Sequence, residues 1–205
     1  MKSATEIVMI LDKSGSMEAL KADAIGGFNQ FLTEQQAEAG EANLTLVLFD
    51  TAYTVHPARP LAAIEPLTER NYSPSGGTAL LDALGRTIRD TGRRLSEMPE
   101  ADRPDKVILV TITDGEENSS RKFSLTDVRD MISHQEDAYS WKFLFLGANQ
   151  DAFAEAQKLG MSPDLAANFA ADAEGFRRAY TSSSKAVREY RKRAEIGLAW
   201  KDDIN

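Results

Sequence analysis

Asp12-Lys13-Ser14-Gly15-Ser16 places three oxygen-bearing side chains at alternate positions on either side of a glycine, directly after the apolar run Glu6-Ile7-Val8-Met9-Ile10-Leu11. Oxygens spaced in this way can converge on one small, hard cation, which prefers oxygen to nitrogen or sulfur. Two later segments can bring further oxygens to the same place. Ser75-Gly76-Gly77-Thr78 is a loop that opens a helical run, and Lys106 begins an apolar strand that ends in Thr113-Asp114-Gly115. Read singly, Ser16 and Thr78 are also good N-caps for helices beginning at Met17 and Ala79, and Asp114-Gly115 is also an ordinary turn. Read together, these bland assignments need five coincidences at strand ends, so the set points to a divalent metal site.

The elements that must position these residues follow from the apolar pattern. Buried runs alternate with helical periods, as in a sheet covered on both faces. Strands are expected at residues 6–11, 43–49, 52–56, 106–114 and 141–147, with a short last one within 165–171. The third turns back on the second through Asp50-Thr51, and Pro57 and Pro60 suit an edge. Helices are expected over residues 17–38, 79–95, 124–134 (capped by Ser124) and 152–159 (stopped by Gly160), with a long final one whose stripe is Phe176, Ala179, Tyr180, Ser183, Val187 and Tyr190. Ile25, Phe28 and Leu32 mark the inner face of the first helix. Gly26-Gly27 weakens it by about 1 kcal/mol per glycine, for which close approach to the sheet is the expected return. Such open α/β sheets bind ligands outside the carboxyl ends of their strands, where Asp12 and Asp114 fall.

With those residues in view, the chain resembles the von Willebrand factor type A family. Asp12, Ser14, Ser16, Thr78 and Asp114 match, in order, all five parts of that family's metal-ion-dependent adhesion site, and the likeness runs from about Ile7 to Arg193. The resemblance implies a three-layer, doubly wound α/β fold with a mostly parallel sheet of strand order 3-2-1-4-5-6 and one antiparallel edge strand. It also implies bound Mg²⁺ or Mn²⁺ that takes an Asp or Glu carboxylate from a partner protein. Intracellular bacterial and phage relatives often act as adaptors, some beside AAA-type ATPases, which makes such a complex a candidate partner by analogy. The alternative is a Mg²⁺-dependent phosphohydrolase of haloacid-dehalogenase type with Asp12 as nucleophile. In that chemistry the residue two further on is a carboxylate that transfers protons, and here it is Ser14. A binding module rather than an enzyme is therefore expected.

Composition narrows the remaining classes. With 205 residues the chain suits one domain, residues 1–193, followed by a tail, 194–205, that either frays or folds back; Trp200 can dock on a partner or on its own domain. A formal net charge of −8 argues against nucleic acid and anionic membrane as partners. The one basic cluster in the sequence, between Lys185 and Arg193, reads as the solvated face of the last helix. Without cysteine there is no disulfide framework and no thiolate. The two histidines, His56 and His134, sit in no nucleophile motif, and no phosphate-binding GxxxxGK[ST] loop occurs. No signal-peptide core precedes the first strand and no apolar run reaches about 20 residues, so a soluble cytoplasmic protein is expected. Glu116, Glu117 and Asn118, just past Asp114, suit contact with a partner more than direct ligation.

Overall fold

A computed structural model describes residues 4–148 and 151–204. In chain order its elements are β1 (Ala4–Asp12), α1 (Lys21–Ala37), β2 (Glu41–Phe49), β3 (Tyr53–Pro60), α2 (Leu80–Glu97), β4 (Lys106–Thr113), α3 (Leu125–Tyr139), β5 (Lys142–Ala148), α4 (Ala152–Lys158), β6 (Ala166–Phe169) and α5 (Ala173–Arg193). The six strands form one sheet in the order β3-β2-β1-β4-β5-β6. Every neighbouring pair is parallel except β2 with β3. Among the described residues no helix is long and apolar enough to cross a membrane.

Alternation along the strands divides the core into two layers. Ile7, Met9 and Leu11 of β1 join Phe28, Phe31 and Leu32 of α1 and Phe176, Ala179 and Tyr180 of α5 on one face. Val8 and Ile10 join Leu84 and Ile88 of α2, Val128 and Ile132 of α3 and Ala156 of α4 on the other. β1, β4 and β5 are buried almost throughout because both of their faces are covered. In register, Leu11 lies beside Leu48 on one side and Ile112 on the other, so β1, β2 and β4 end together.

Several local expectations change in the folded chain. The first helix does not start at Met17: a 3-10 turn, Gly15–Leu20, precedes α1. The chain must wind at once after Ser14, and the bond from Met17 N–H to Ser14 O closes that tighter turn. α1 buries Phe31 beside Phe28 and Leu32, with Ile25 only half-buried. Gly27 answers to a helix rather than to the sheet, since a Cβ there would stand 2.1 Å from the Tyr180 ring of α5. β3 runs on to Pro60, and its register against β2 shifts between Leu44 and Leu46, opposite Pro57. A bulge on an edge strand tolerates the missing N–H. α3 continues to Tyr139 and closes on Ser140, whose φ of 56° is left-handed.

The Lys185–Arg193 cluster is not simply a solvated face. Arg191 is 8% exposed. Its guanidinium donates to the carbonyls of Gln35 (2.6 Å) and Gly40 (3.0 Å), ending α1 from outside. The last residues fold back: Trp200 is fully buried, and its indole N–H donates to Asp164 O at 3.0 Å.

Candidate metal centre

Asp12 closes β1 and Asp114 follows the last residue of β4, so strand register alone brings two carboxylates to one edge of the sheet. The 3-10 turn then carries Ser14 and Ser16 across the same edge. Ser14 Oγ lies 3.1 Å from Ser16 Oγ, and Ser16 Oγ donates to Asp114 Oδ1 at 2.8 Å. Thr78 comes from a distant loop. A Cβ built on Gly115 would stand 2.9 Å from Thr78 Oγ1 and 4.0 Å from Ser16 Oγ, so the missing side chain at Gly115 leaves room for those hydroxyls. All five residues singled out in the sequence therefore meet.

The capping roles open to Ser16 and Thr78 are not taken. Ser16 lies inside the 3-10 turn, the residues at the N-cap positions of that turn and of α1 and α2 are Ser14, Leu20 and Ala79, and none makes a side-chain capping bond. Thr78 instead lends its carbonyl to the N–H groups of Asn118 and Ser119 (3.0 and 3.2 Å). Ser124 does cap α3, through a reciprocal capping box with Asp127.

Residues around the five hold them in place, and four of these are not marked in the sequence. Thr113 donates its hydroxyl to Asp12 Oδ2 at 2.6 Å, while Ser14 N–H donates to Asp12 Oδ1 at 2.7 Å. Tyr72, fully buried, donates to the Asp12 carbonyl at 2.5 Å. Lys13 turns away from the site and pairs with Asp50, which also accepts from Ser75 Oγ at 2.7 Å. Gly15 N–H reaches Gly76 O at 3.0 Å, so the two loops are tied by backbone as well. The only local hint of these roles is that Thr113 directly precedes Asp114. Among the three residues past Asp114, Asn118 is a brace, its Oδ1 accepting from Thr78 N–H at 2.9 Å. Glu117 is equally occupied, taking the N–H groups of Leu81, Ser119 and Ser120.

The electrostatics of this edge call for positive charge. Burial pushes the Asp12 carboxyl up to about 6, against the hydrogen bonds from Thr113 and Ser14, and Asp114 adds repulsion. Burial raises Asp114 as well. Among the described residues no cationic side chain offsets either one. For Asp50, burial pulls upward, but Lys13, Ser75 and the Ala52 N–H outweigh it and hold the carboxyl below its usual range. The two acids of the site are thus left electrostatically open, and their neighbour is not.

The donor set is made wholly of oxygens. No group of three or more His, Cys, Asp or Glu is placed to hold a metal among the described residues, so hydroxyls must supply the rest. Two carboxylates and three hydroxyls suit a hard divalent ion. In an octahedron with metal–oxygen distances of about 2.1 Å, neighbouring oxygens lie about 3.0 Å apart. The Ser14–Ser16 and Ser16–Asp114 spacings of 3.1 and 2.8 Å are those of hydrogen bonds, and they already bring these oxygens within reach of a single ion.

No protein-family model matches the chain, and no curated protein matches it in sequence. Solved structures do match in fold. The von Willebrand factor type A protein from Catenulispora acidiphila shares 18% identity over 91% of this chain and 43% of its own, with a TM-score of 0.61. The pilus adhesin SpaC from Lactobacillus rhamnosus GG shares 16% over 90% of this chain and 30% of its own, at 0.67. Proximal thread matrix protein 1 from the mussel byssus, solved with zinc occupying its MIDAS motif, shares 12% over 84% of this chain and 45% of its own, at 0.60. The chain spans less than half the length of each of these three. Strand order, the antiparallel edge strand and these likenesses agree: the chain has the von Willebrand factor type A fold.

Proposed function

We propose that the chain is a metal-dependent protein-binding module. Asp12, Ser14, Ser16, Thr78 and Asp114 hold Mg²⁺ or Mn²⁺, which accepts an Asp or Glu carboxylate from a partner protein. The observation that carries this reading is the convergence of serine and threonine hydroxyls on an edge that holds two buried carboxylates, neither offset by a cationic side chain among the described residues. The zinc-occupied site of the mussel protein supports a divalent ion at this place in the fold. The absence of nitrogen and sulfur donors favours the harder Mg²⁺ and Mn²⁺ here.

Each of the chain's residues has a separable part. Asp12 and Asp114 supply the negative charge, while Ser14, Ser16 and Thr78 supply neutral oxygens that leave positive charge for an incoming carboxylate. Asp12 is 1% exposed, with both oxygens already accepting hydrogen bonds. That supports a holding role over nucleophilic attack.

A ligand that binds the folded state at 100 times its dissociation constant stabilises it by about 2.7 kcal/mol. For a chain of this length that is a rise of about 5–10 °C in melting temperature. Thermal melts with Mg²⁺ or Mn²⁺ should show it, and Asp12→Ala should melt cooperatively with no metal response. An equal shift in Asp12→Ala would place the ion elsewhere.

A further inference from the structure

Folding assembles a second basic surface from two separate segments. Arg86, Arg89 and Arg93 share one face of α2, and the 118–123 loop brings Arg121 and Lys122 opposite them across a groove of about 1110 Å³. Three guanidinia crowd one carboxylate: Asp90 lies 3.5 Å from Arg86, 3.1 Å from Arg89 and 3.7 Å from Arg93. The other acid in the groove, Asp82, is held by the N–H groups of Arg121, Lys122 and Phe123. Five cations therefore line the groove against two carboxylates, on a chain whose net charge is −8. Arg89 and Arg93 are 55% and 67% exposed.

The groove opens onto the candidate metal edge. Its near end is walled by Thr51, Asn118 and Ser119. A Cβ on Gly76 would stand 2.7 Å from Thr51 Oγ1, and one on Gly77 would stand 2.3 Å from Ser119 Oγ. Asn118 braces the Thr78 N–H. A chain that meets the edge at Thr78 thus has a cationic track leading away along α2. Another surface, on the far side of Glu117 from Asn118 in sequence, is an acidic flank: it is lined by Glu116, Glu117, Asp151 and Glu155, against one cation among the described residues, Lys158.

We propose that this groove receives an acidic segment of the partner protein, a run of Asp or Glu flanking the carboxylate that meets the metal. Guanidinium forks match carboxylates, and the acidic flank turns such a segment towards α2, which gives the contact a direction. The inference rests on the metal reading only for where the segment ends.

The test uses fluorescent peptides against the full chain at low ionic strength: one Asp followed by six Glu, the same Asp followed by Gly and Ser, and an oligothymidylate of equal charge. The acidic peptide should bind at least tenfold tighter than the Gly-Ser control and weaken as salt rises. Arg89→Glu/Arg93→Glu should cost at least tenfold and Arg121→Glu a smaller factor, with the Mg²⁺ melting shift unchanged in both. Wild-type affinity in both variants, or no binding of the acidic peptide at millimolar concentration, overturns the proposal. Tighter binding of the oligothymidylate, lost in the same variants, overturns it in favour of a phosphate polyanion. Loss of binding in the charge-reversed variants without any effect of chelator upholds the groove and sinks the metal reading. Loss in chelator without loss in the variants does the reverse.

Discussion

Thr113→Val tests whether the carboxylate at the end of β1 is held by its neighbour. The substitution keeps the shape of a fully buried side chain and removes the hydroxyl, which donates to Asp12 Oδ2 at 2.6 Å and accepts the longer bond from Gly115 N–H at 3.3 Å. A hydrogen bond to a charged group contributes about 1.5–3 kcal/mol, and the acceptor left behind cannot reach bulk water. At pH 7.5 in chelator the cost should be about 2 kcal/mol, or about 4–8 °C for a chain of this length. The pH dependence follows from Asp12. Burial puts its folded pKa at about 6, above the ordinary 3.8. The metal-free fold therefore binds a proton that the unfolded chain lacks, and it loses stability as pH rises through that window. Removing a donor to the charged form pushes the pKa further up, so the penalty must grow with pH. At pH 5 most of Asp12 is protonated and the loss should shrink to about 1 kcal/mol, the value of a neutral bond. Urea denaturation at the two pH values, with the m-value as a control for compactness, measures the difference. A penalty below about 0.5 kcal/mol at both, or a larger one at pH 5, would refute the reasoning.

The two adjacent glycines of α1 should respond with opposite sign. Gly26→Ala meets nothing within 4 Å and should stabilise by up to about 1 kcal/mol through helix propensity. Gly27→Ala drives a methyl into the Tyr180 ring and should cost about 1–3 kcal/mol, so equal urea midpoints would contradict this view of α1 on α5. Burial raises the Glu6 carboxyl despite Arg94 and Thr45, and its Oε2 has no partner. Its contribution therefore falls as pH rises above the ordinary glutamate value, and Glu6→Gln should gain on wild type in that direction; a difference that is flat with pH counts against it. Trp200→Ala removes a fully buried ring and should cost about 3–5 kcal/mol by denaturant melt, whereas a loss under about 1 kcal/mol would mean that the terminal residues are not part of the core.

What the sequence discloses is whatever a local pattern encodes. β1, β4 and β5 stand out because strands buried on both faces are continuous apolar runs. Asp12 and Asp114 stand out because each ends an apolar run, Ser14 and Ser16 because they alternate with Asp12 on either side of Gly15, and Thr78 because two glycines precede it. What the sequence hides is pairing across distance. Asn118 braces a residue 40 positions away, Thr113 one 101 away, and Arg191 ends a helix 156 positions before it. None of these partners leaves a period in the chain. The basic groove is half hidden. Arg86, Arg89 and Arg93 recur at helical spacing and so share a face of the expected helix, but nothing in the sequence pairs that face with Arg121 and Lys122 of the 118–123 loop.

The order in which the site is built bears on what a metal can do there. Its frame rests on bonds that use none of the five ligand side chains: Tyr72 fixes the Asp12 carbonyl, the Lys13–Asp50 pair fixes the turn beneath Ser14, and Asn118 fixes the Thr78 N–H. The hydroxyls of Ser14 and Ser16 bond one another and Asp114, and they can reorient by rotation about a single bond. An ion entering such a frame does not have to order the loops, so little of its binding free energy is lost to conformational entropy. It must instead displace those hydrogen bonds and shed part of its own hydration, which Mg²⁺ does reluctantly. Affinity for the ion alone should therefore be modest. On the proposed function, a partner carboxylate that fills the remaining position would raise the affinity for the ion, and by linkage the ion would raise the affinity for the partner by the same factor. Under this scheme, stripping the metal removes recognition while the fold persists. That separation is what distinguishes a recognition site from a structural one.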